Sequence, residues 1–328
     1  MIILSMNKEL CRGIKNPKMW RSLVNGELKE MLEVVKLDEE LVLHLRNNYI
    51  NIYYRSGNAA RVNSENSVTI DENYFISRKE EDYCRKDKKT ASGELKRKEL
   101  IRRRDEAKQL FKKREYKAYF DSMKETMSKY WAYQGMSKED EGDVQQKLCS
   151  SNKYDSKDSN YTIIDLEHEV SIKADFSYKG TTPFPIKKGK RKENPRFDIV
   201  AVRKSDGQLF VLELKKGNKA LEGPSGMHDH VDSFLHTIKE TADAEKSFVE
   251  EMEYVLMQKQ ILGLVDKAVK ITSEDVQFAF VYSYGSEDRD GQKKEKEHVE
   301  NLRKSIVKGI DISQYQIIYL QPKEYTLK

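Results

Sequence analysis

The sequence predicts an α/β fold of the α+β kind: a mixed sheet flanked by helices, preceded by a small β-rich module and a basic helical arm. The last part carries the clearest signal. From residue 137 onward, apolar runs of strand length alternate with stretches of helical spacing, in the order helix, three strands, helix, strand, helix, strand. Before it, residues 80–135 combine dense Lys and Arg with apolar residues at helical spacing. Residues 41–76 read as short strands punctuated by Asn and Gly. The chain therefore divides into an N-terminal module (1–80), a basic connector (81–136) and an α/β domain (137–328).

Composition narrows the function classes. The 328 residues are 38% hydrophobic and 35% charged, with a net charge of +5. That suits a well-formed core under a highly charged surface. No apolar run reaches the roughly 18 residues of a membrane helix. The apolar part of "MIILSMNKEL" is too short for a signal peptide. Cys11, Cys84 and Cys149 are far apart and fit neither a zinc spacing nor a disulfide framework. A reducing cytoplasm, with no membrane partner, is the expected location.

The elements follow in order. "MWRSLVNGELKEMLEVV" holds a helix. "LVLHLRNNYINIYYRSG" is a hairpin about Asn47-Asn48, since Asn tolerates the positive φ of such a turn, and "SVTI" and "NYFIS" are two further short strands. Tyr49, Tyr53, Tyr54 and Arg55 read first as packing of this small sheet, with stacking on a nucleic acid as the alternative. Leu100, Ala107, Leu110, Phe111, Phe120, Met123, Met127 and Tyr130 mark one long amphipathic helix, or two, ending at Gly135. It is a solvated linker, a basic arm that meets phosphates, or a helix that mediates dimerisation; a homo-oligomer is expected.

"SKEDEGDVQQKLCSS" is a Ser-capped helix with acids in its first turn. "YTIIDLEHEVSIKA" alternates, with Ile164, Leu166, His168, Val170 and Ile172 on one face and Asp165, Glu167, Glu169 and Ser171 on an acidic one. A long basic loop precedes the strands "RFDIVAVRK" and "QLFVLELKK". A long helix, broken at most once, runs from about Val231 to Leu264, followed by the apolar strand "VQFAFVYSY", a charged helix around "KKEKEHVENLRKSIVKG" and a last strand, "YQIIYL".

The chemistry concentrates in "RFDIVAVRKSDGQLFVLELKKG". Period-two alternation puts Leu209, Val211, Glu213 and Lys215 on one strand face and Phe210, Leu212 and Leu214 on the other. Both faces are apolar until the end, as in a central strand, where ionised groups are costly unless paired or metal-bound. Asp198 and Glu213 are nearly equidistant from the Asp206-Gly207 turn, so hairpin pairing sets them side by side. Two adjacent carboxylates repel, and a divalent cation relieves the repulsion. Oxygen ligands suit Mg²⁺ or Mn²⁺, which polarises a phosphoryl oxygen and acidifies a bound water. Lys215 faces the same way and can orient that water or offset transition-state charge. The alternative is a surface ion pair between Glu213 and Lys215.

Asp198, a short hairpin and then Glu213-Leu214-Lys215 resemble the PD-(D/E)XK superfamily, the restriction-endonuclease-like nucleases. The element order resembles that family's core over roughly residues 137–285. The "PD" dipeptide itself is absent: Arg196-Phe197 precede Asp198, and Pro195 stands three places before it. The resemblance implies Mg²⁺- or Mn²⁺-dependent phosphodiester cleavage of DNA. It maps the family's aspartate onto Asp198, its second acid onto Glu213 and its lysine onto Lys215, with Leu214 in the metal-ligand set between them. It also implies an acid from the first helix, for which Glu141 is the candidate, with Asp143 and Glu167 as rivals and a helical glutamine sought at Gln258 or Gln260. The layout is broadly similar to Shedu-type anti-phage defence nucleases, with a sensor region ahead of the nuclease.

Two basic features suit a nucleic-acid substrate. Lys187, Lys188, Lys190, Arg191 and Lys192 lie in the loop before the catalytic strand and can track a phosphate backbone, unless they only solubilise. His228 and His230 open a helix whose N-terminus can hold a DNA phosphate; a zinc site there lacks a third ligand. The rival functions are a ribonuclease, a non-catalytic nucleic-acid binder that retains the fold, and an assembly protein whose charges serve oligomer contacts.

Overall fold

A computed structural model describes residues 12–55, 57–75, 91–134, 141–152, 158–170, 195–218, 221–222, 226–307, 309–321 and 324–328. The chain is mixed α/β and forms two compact units, residues 12–150 and 151–328. No helix among the described residues is long and apolar enough to cross a membrane.

In the first unit, α1 (Pro17–Asn25) starts where the Asn16 side chain accepts the N–H groups of Lys18 and Met19, with Pro17 pre-set for the first turn. The expected single helix is two, because α2 (Lys29–Leu37) follows a break at Gly26. A Cβ there would lie 2.8 Å from the Ser22 Cα, so only glycine fits. Strands β1 (Leu41–Leu45), β2 (Ile50–Tyr54), β3 (Gly57–Val62) and β4 (Val68–Thr69) form an antiparallel sheet in sequence order. Asn48 does turn the first hairpin at positive φ (57°). "NYFIS" departs from expectation: Glu72–Phe75 is a single 3-10 turn, and Tyr74 packs edge-on against Tyr130 and Trp131.

The basic arm is two helices, α3 (Ala91–Lys112) and α4 (Tyr116–Gln134). They part at Arg114 (φ 65°), where the Arg114 N–H returns to Phe111 and the Glu115 N–H to Leu110. That is a Schellman stop without its usual glycine. Far from being only a solvated linker, α4 buries Tyr119, Phe120, Met123, Met127 and Trp131, and the Tyr119 hydroxyl donates to the Ala59 carbonyl of β3 (2.8 Å). The sheet tyrosines likewise serve packing: Tyr54 meets Ser128 and Trp131, and Arg61 covers the Tyr49 ring. Helix α5 (Glu141–Ser151) ends the unit.

The second unit is built on a five-stranded sheet. Its strands are β5 (Tyr161–Glu169), β6 (Arg196–Arg203), β7 (Leu209–Lys216), β8 (Val276–Ser283) and β11 (Gln316–Leu320), in spatial order β11-β8-β7-β6-β5. Strands β5, β6 and β7 pair antiparallel, whereas β7, β8 and β11 run parallel. Strand β7 is thus central and is buried through Lys215. Helices α6 (Met227–Leu235) and α7 (Ala242–Ile261) split the expected long helix; α7 restarts at Thr241, whose hydroxyl accepts the Ala244 N–H. Met227, Val231 and Phe234 of α6, with Val249, Met252 and Val255 of α7, share one core with Val200, Val202, Leu209, Val211, Phe278 and Phe280 of the sheet. Helix α8 (Arg289–Arg303) and a small hairpin, β9 (Ile306–Val307) with β10 (Ile310–Asp311), precede β11. The hairpin is too short to leave a pattern in sequence.

One strand departs from its expected alternation. Strand β5 carries a bulge between Ile163 and Asp165, and Glu167 sits at positive φ (49°). An extra residue moves later side chains to the other face. Asp165 is accordingly not on a solvated acidic face. It is fully buried and bonded to His168 Nδ1 (2.8 Å), whose Nε2 lies 3.5 Å from Glu251 of α7.

Candidate active site

The β6–β7 hairpin closes at residues 204–208, where Gly207 takes φ 69° and the Arg203 side chain grips Asp206 (2.7 Å). A Cβ at Gly207 would lie 2.6 Å from the Lys270 carbonyl, so the turn needs glycine. From this turn the ladder runs Val202↔Leu209, Ala201↔Phe210, Val200↔Val211 and Ile199↔Leu212. Continuing that register, the next rung would join Asp198 to Glu213. The ladder ends one rung before this pair, and the Glu213 charge acts on the Asp198 carboxyl.

At this rung a side chain takes over from the backbone ladder. The Leu214 N–H donates to Asp198 Oδ2 at 2.9 Å. The N–H and C=O of one strand residue point to the same neighbour, so the Leu214 carbonyl also faces β6, beyond its last paired rung. Asp198 is half-buried, yet protein crowds its carboxyl. Its pKa is pushed well above the ordinary carboxylate range, first by burial and then by the Glu213 charge, against the pull of Lys215 and the Leu214 N–H.

Glu213 and Lys215 are only 2% and 3% exposed. Lys215 Nζ donates to Glu213 Oε1 at 2.9 Å, and His230 Nε2, from the first turn of α6, lies 2.9 Å from that same oxygen. A surface ion pair is therefore excluded, because the pair is inside the fold. His230 was the member hardest to foresee, since its partner is 17 residues away on another element. The only sequence signal was its place at the helix start.

Glu167 joins the group from the other side. Leu166↔Ile199 and His168↔Phe197 flank it in the β5–β6 register, which sets it opposite Asp198. Its charge adds to the upward push on the Asp198 carboxyl, and its own carboxylate holds Arg196 (2.8 Å). Glu167, Asp198 and Glu213 thus come from three neighbouring strands, β5, β6 and β7.

Glu141 opens α5, in the 12–150 unit. Asp143 is buried there and committed to Arg55 (3.1 Å) and Lys147 (3.2 Å). His228 is buried, with Nε2 3.2 Å from the Ser305 carbonyl. Gln258 donates to the Tyr254 hydroxyl, and Gln260 bonds the carbonyls of Asp266 and Val269, in a loop. Lys187, Lys188, Lys190, Arg191 and Lys192 lie outside the described residues, as do Cys11 and Cys84. Cys149 is a free, buried thiol.

Among the described residues, no three His, Cys, Asp or Glu side chains stand together as a ready-made metal cage. The donors the hairpin offers are the Asp198 and Glu213 carboxylates and the Leu214 carbonyl. An all-oxygen set of this kind fits Mg²⁺ or Mn²⁺ better than a softer ion. No protein-family model, curated protein or solved structure matches this chain.

Proposed function

We propose that this chain is a metal-dependent nuclease with a restriction-endonuclease-like core, hydrolysing phosphodiester bonds of DNA with Mg²⁺ or Mn²⁺. The observation that carries this reading is the end of the β6–β7 hairpin. There the Leu214 N–H donates to the Asp198 carboxyl, the Glu213 charge acts on that carboxyl, and buried Lys215, two residues on, holds Glu213. Burying two facing carboxylates is unfavourable, and a fold that keeps them beside a lysine has the parts for phosphoryl chemistry.

In this reading Asp198, Glu213 and the Leu214 carbonyl hold the ion. When bound, the ion supplies Lewis-acid polarisation of the scissile phosphate and lowers the pKa of a water. Lys215 orients the attacking water, or offsets charge on the pentavalent phosphorus, from a buried position. Glu167 is the accessory acid in this reading. The 12–150 unit would select substrate, sense a signal or mediate oligomerisation, as in a Shedu-like defence nuclease.

The test is cleavage of linear and circular duplex DNA, single-stranded DNA and RNA, each with Mg²⁺, Mn²⁺ or EDTA. Cutting that needs metal and is lost in Asp198→Ala and Lys215→Ala is the expected result. A wild-type protein that binds DNA without ever cutting it would favour the non-catalytic binder. Cutting of RNA alone would move the substrate to the ribonuclease class.

A further inference from the structure

The nuclease reading gives His230 no part in the reaction, yet its imidazole reaches Glu213 from outside the strand. Glu213 Oε1 lies 2.9 Å from Lys215 Nζ and 2.9 Å from His230 Nε2. The two contacts come from different elements, the tail of β7 and the first turn of α6. Helix α6 is itself anchored: Met227, Val231 and Phe234 are in the sheet's core, and the Met227 N–H donates to the Leu221 carbonyl (2.9 Å). The imidazole is therefore delivered by a rigid element.

We propose that His230 is a positioning residue for Glu213, one that sets the affinity of the site for its divalent cation. The inference rests on the nuclease reading for the identity of that site. A carboxylate has two oxygens and one soft torsion, and a single donor on Oε1 leaves the plane free to swing. A second donor on the same oxygen, arriving from another element, fixes both the torsion and the choice of oxygen. Lys215 and His230 together hold Oε1. Such outer-shell partners typically change metal affinity by about 10- to 100-fold when removed.

His230 thus takes a different role from its neighbour two residues earlier. His228 turns its ring to the Ser305 carbonyl and ties α6 to the start of the β9–β10 hairpin. The two histidines of "HDH" divide the work, His228 holding the helix in place and His230 holding Glu213. This accounts for both without a phosphate or a zinc ion.

The experiment measures Mn²⁺ binding to the full chain by titration, following the free-ion electron paramagnetic resonance signal. Wild type is compared with His230→Ala, His230→Gln, His228→Ala and Asp198→Ala. Wild type should bind, and Asp198→Ala should lose the site. His230→Ala should bind about 10- to 100-fold more weakly. His230→Gln, which keeps an N–H donor of similar reach, should recover most of that loss, a rescue that mere helix packing would not produce. His228→Ala should leave the ion affinity within about 3-fold of wild type when measured below its melting temperature, a margin small against the loss expected at His230. Site binding lost in Asp198→Ala but unchanged in His230→Ala overturns the inference and leaves the nuclease reading standing. Wild type that binds no Mn²⁺, or binds it equally with Asp198→Ala, removes the site and the inference with it.

Discussion

Replacing Lys215 by methionine probes the site without reference to catalysis. Lys215 and Glu213 are 3% and 2% exposed and 2.9 Å apart, with Asp198 on the adjoining strand. Lys215→Met keeps the length of the side chain and removes its charge, leaving two facing carboxylates in a buried place. Breaking one side of a buried pair costs about 3–5 kcal/mol, against a domain stability of about 5–15 kcal/mol. The assay is urea unfolding at pH 8 in EDTA. A loss near 4 kcal/mol is expected. The double variant Glu213→Gln/Lys215→Met should recover most of it, since the uncompensated charge is gone. If the carboxylates are a cation site, adding Mg²⁺ to Lys215→Met should restore about 2.7 kcal/mol at 100 times its Kd. A loss below about 1 kcal/mol, the range of an exposed ion pair, would refute the buried geometry. A full loss with no response to any divalent ion would refute the metal reading while leaving the geometry intact.

Three further outcomes follow from the same arrangement. Asp198 binds its proton more tightly folded than unfolded, so its charge costs stability above its raised folded pKa and nothing below the ordinary carboxylate range near pH 4. Asp198→Asn should therefore melt higher than wild type at pH 8 in EDTA, with the gain fading as pH falls through the folded pKa and absent by about pH 3.5. Glu167→Gly removes a side chain from a left-handed position and should stabilise by up to about 1 kcal/mol in thermal melts. It should also lower cleavage if Glu167 is the accessory acid. Arg114→Gly supplies the glycine that the α3 stop lacks and should raise the melting temperature of the 12–150 unit by a similar energy, read by calorimetry.

Much of the site was legible because a hairpin is a local object. The Asp206-Gly207 turn fixes the register of the two strands that carry Asp198 and Glu213, and period two fixes the face Glu213 shares with Lys215. The bulge in β5 was not legible, because "IIDLEHE" alternates cleanly and nothing in it announces an extra residue. That misplaced Asp165, which is buried on His168. It also hid how Glu167 comes to face Asp198. His230 and Glu213 meet only through the packing of α6 on the sheet, a tertiary fact with no local pattern. The same limit applies to helix breaks: Gly26 marks one, whereas Arg114 ends a helix in a conformation its residue type does not favour.

The switch from antiparallel to parallel pairing at β7 bears on the order in which the molecule assembles. Strands β6 and β7 close a five-residue connection and pay little loop entropy, whereas β8 must return across 59 residues, 217–275, to lie beside β7. The acids should therefore meet early, on a hairpin still open to water, where their repulsion is weak. Only when β8 and α6 arrive does the surrounding medium become apolar and the histidine close in. Pulse-labelled hydrogen exchange should find amides of 199–212 protected before those of 276–283. In that sequence of events the site's electrostatic strain is the last thing the fold takes on.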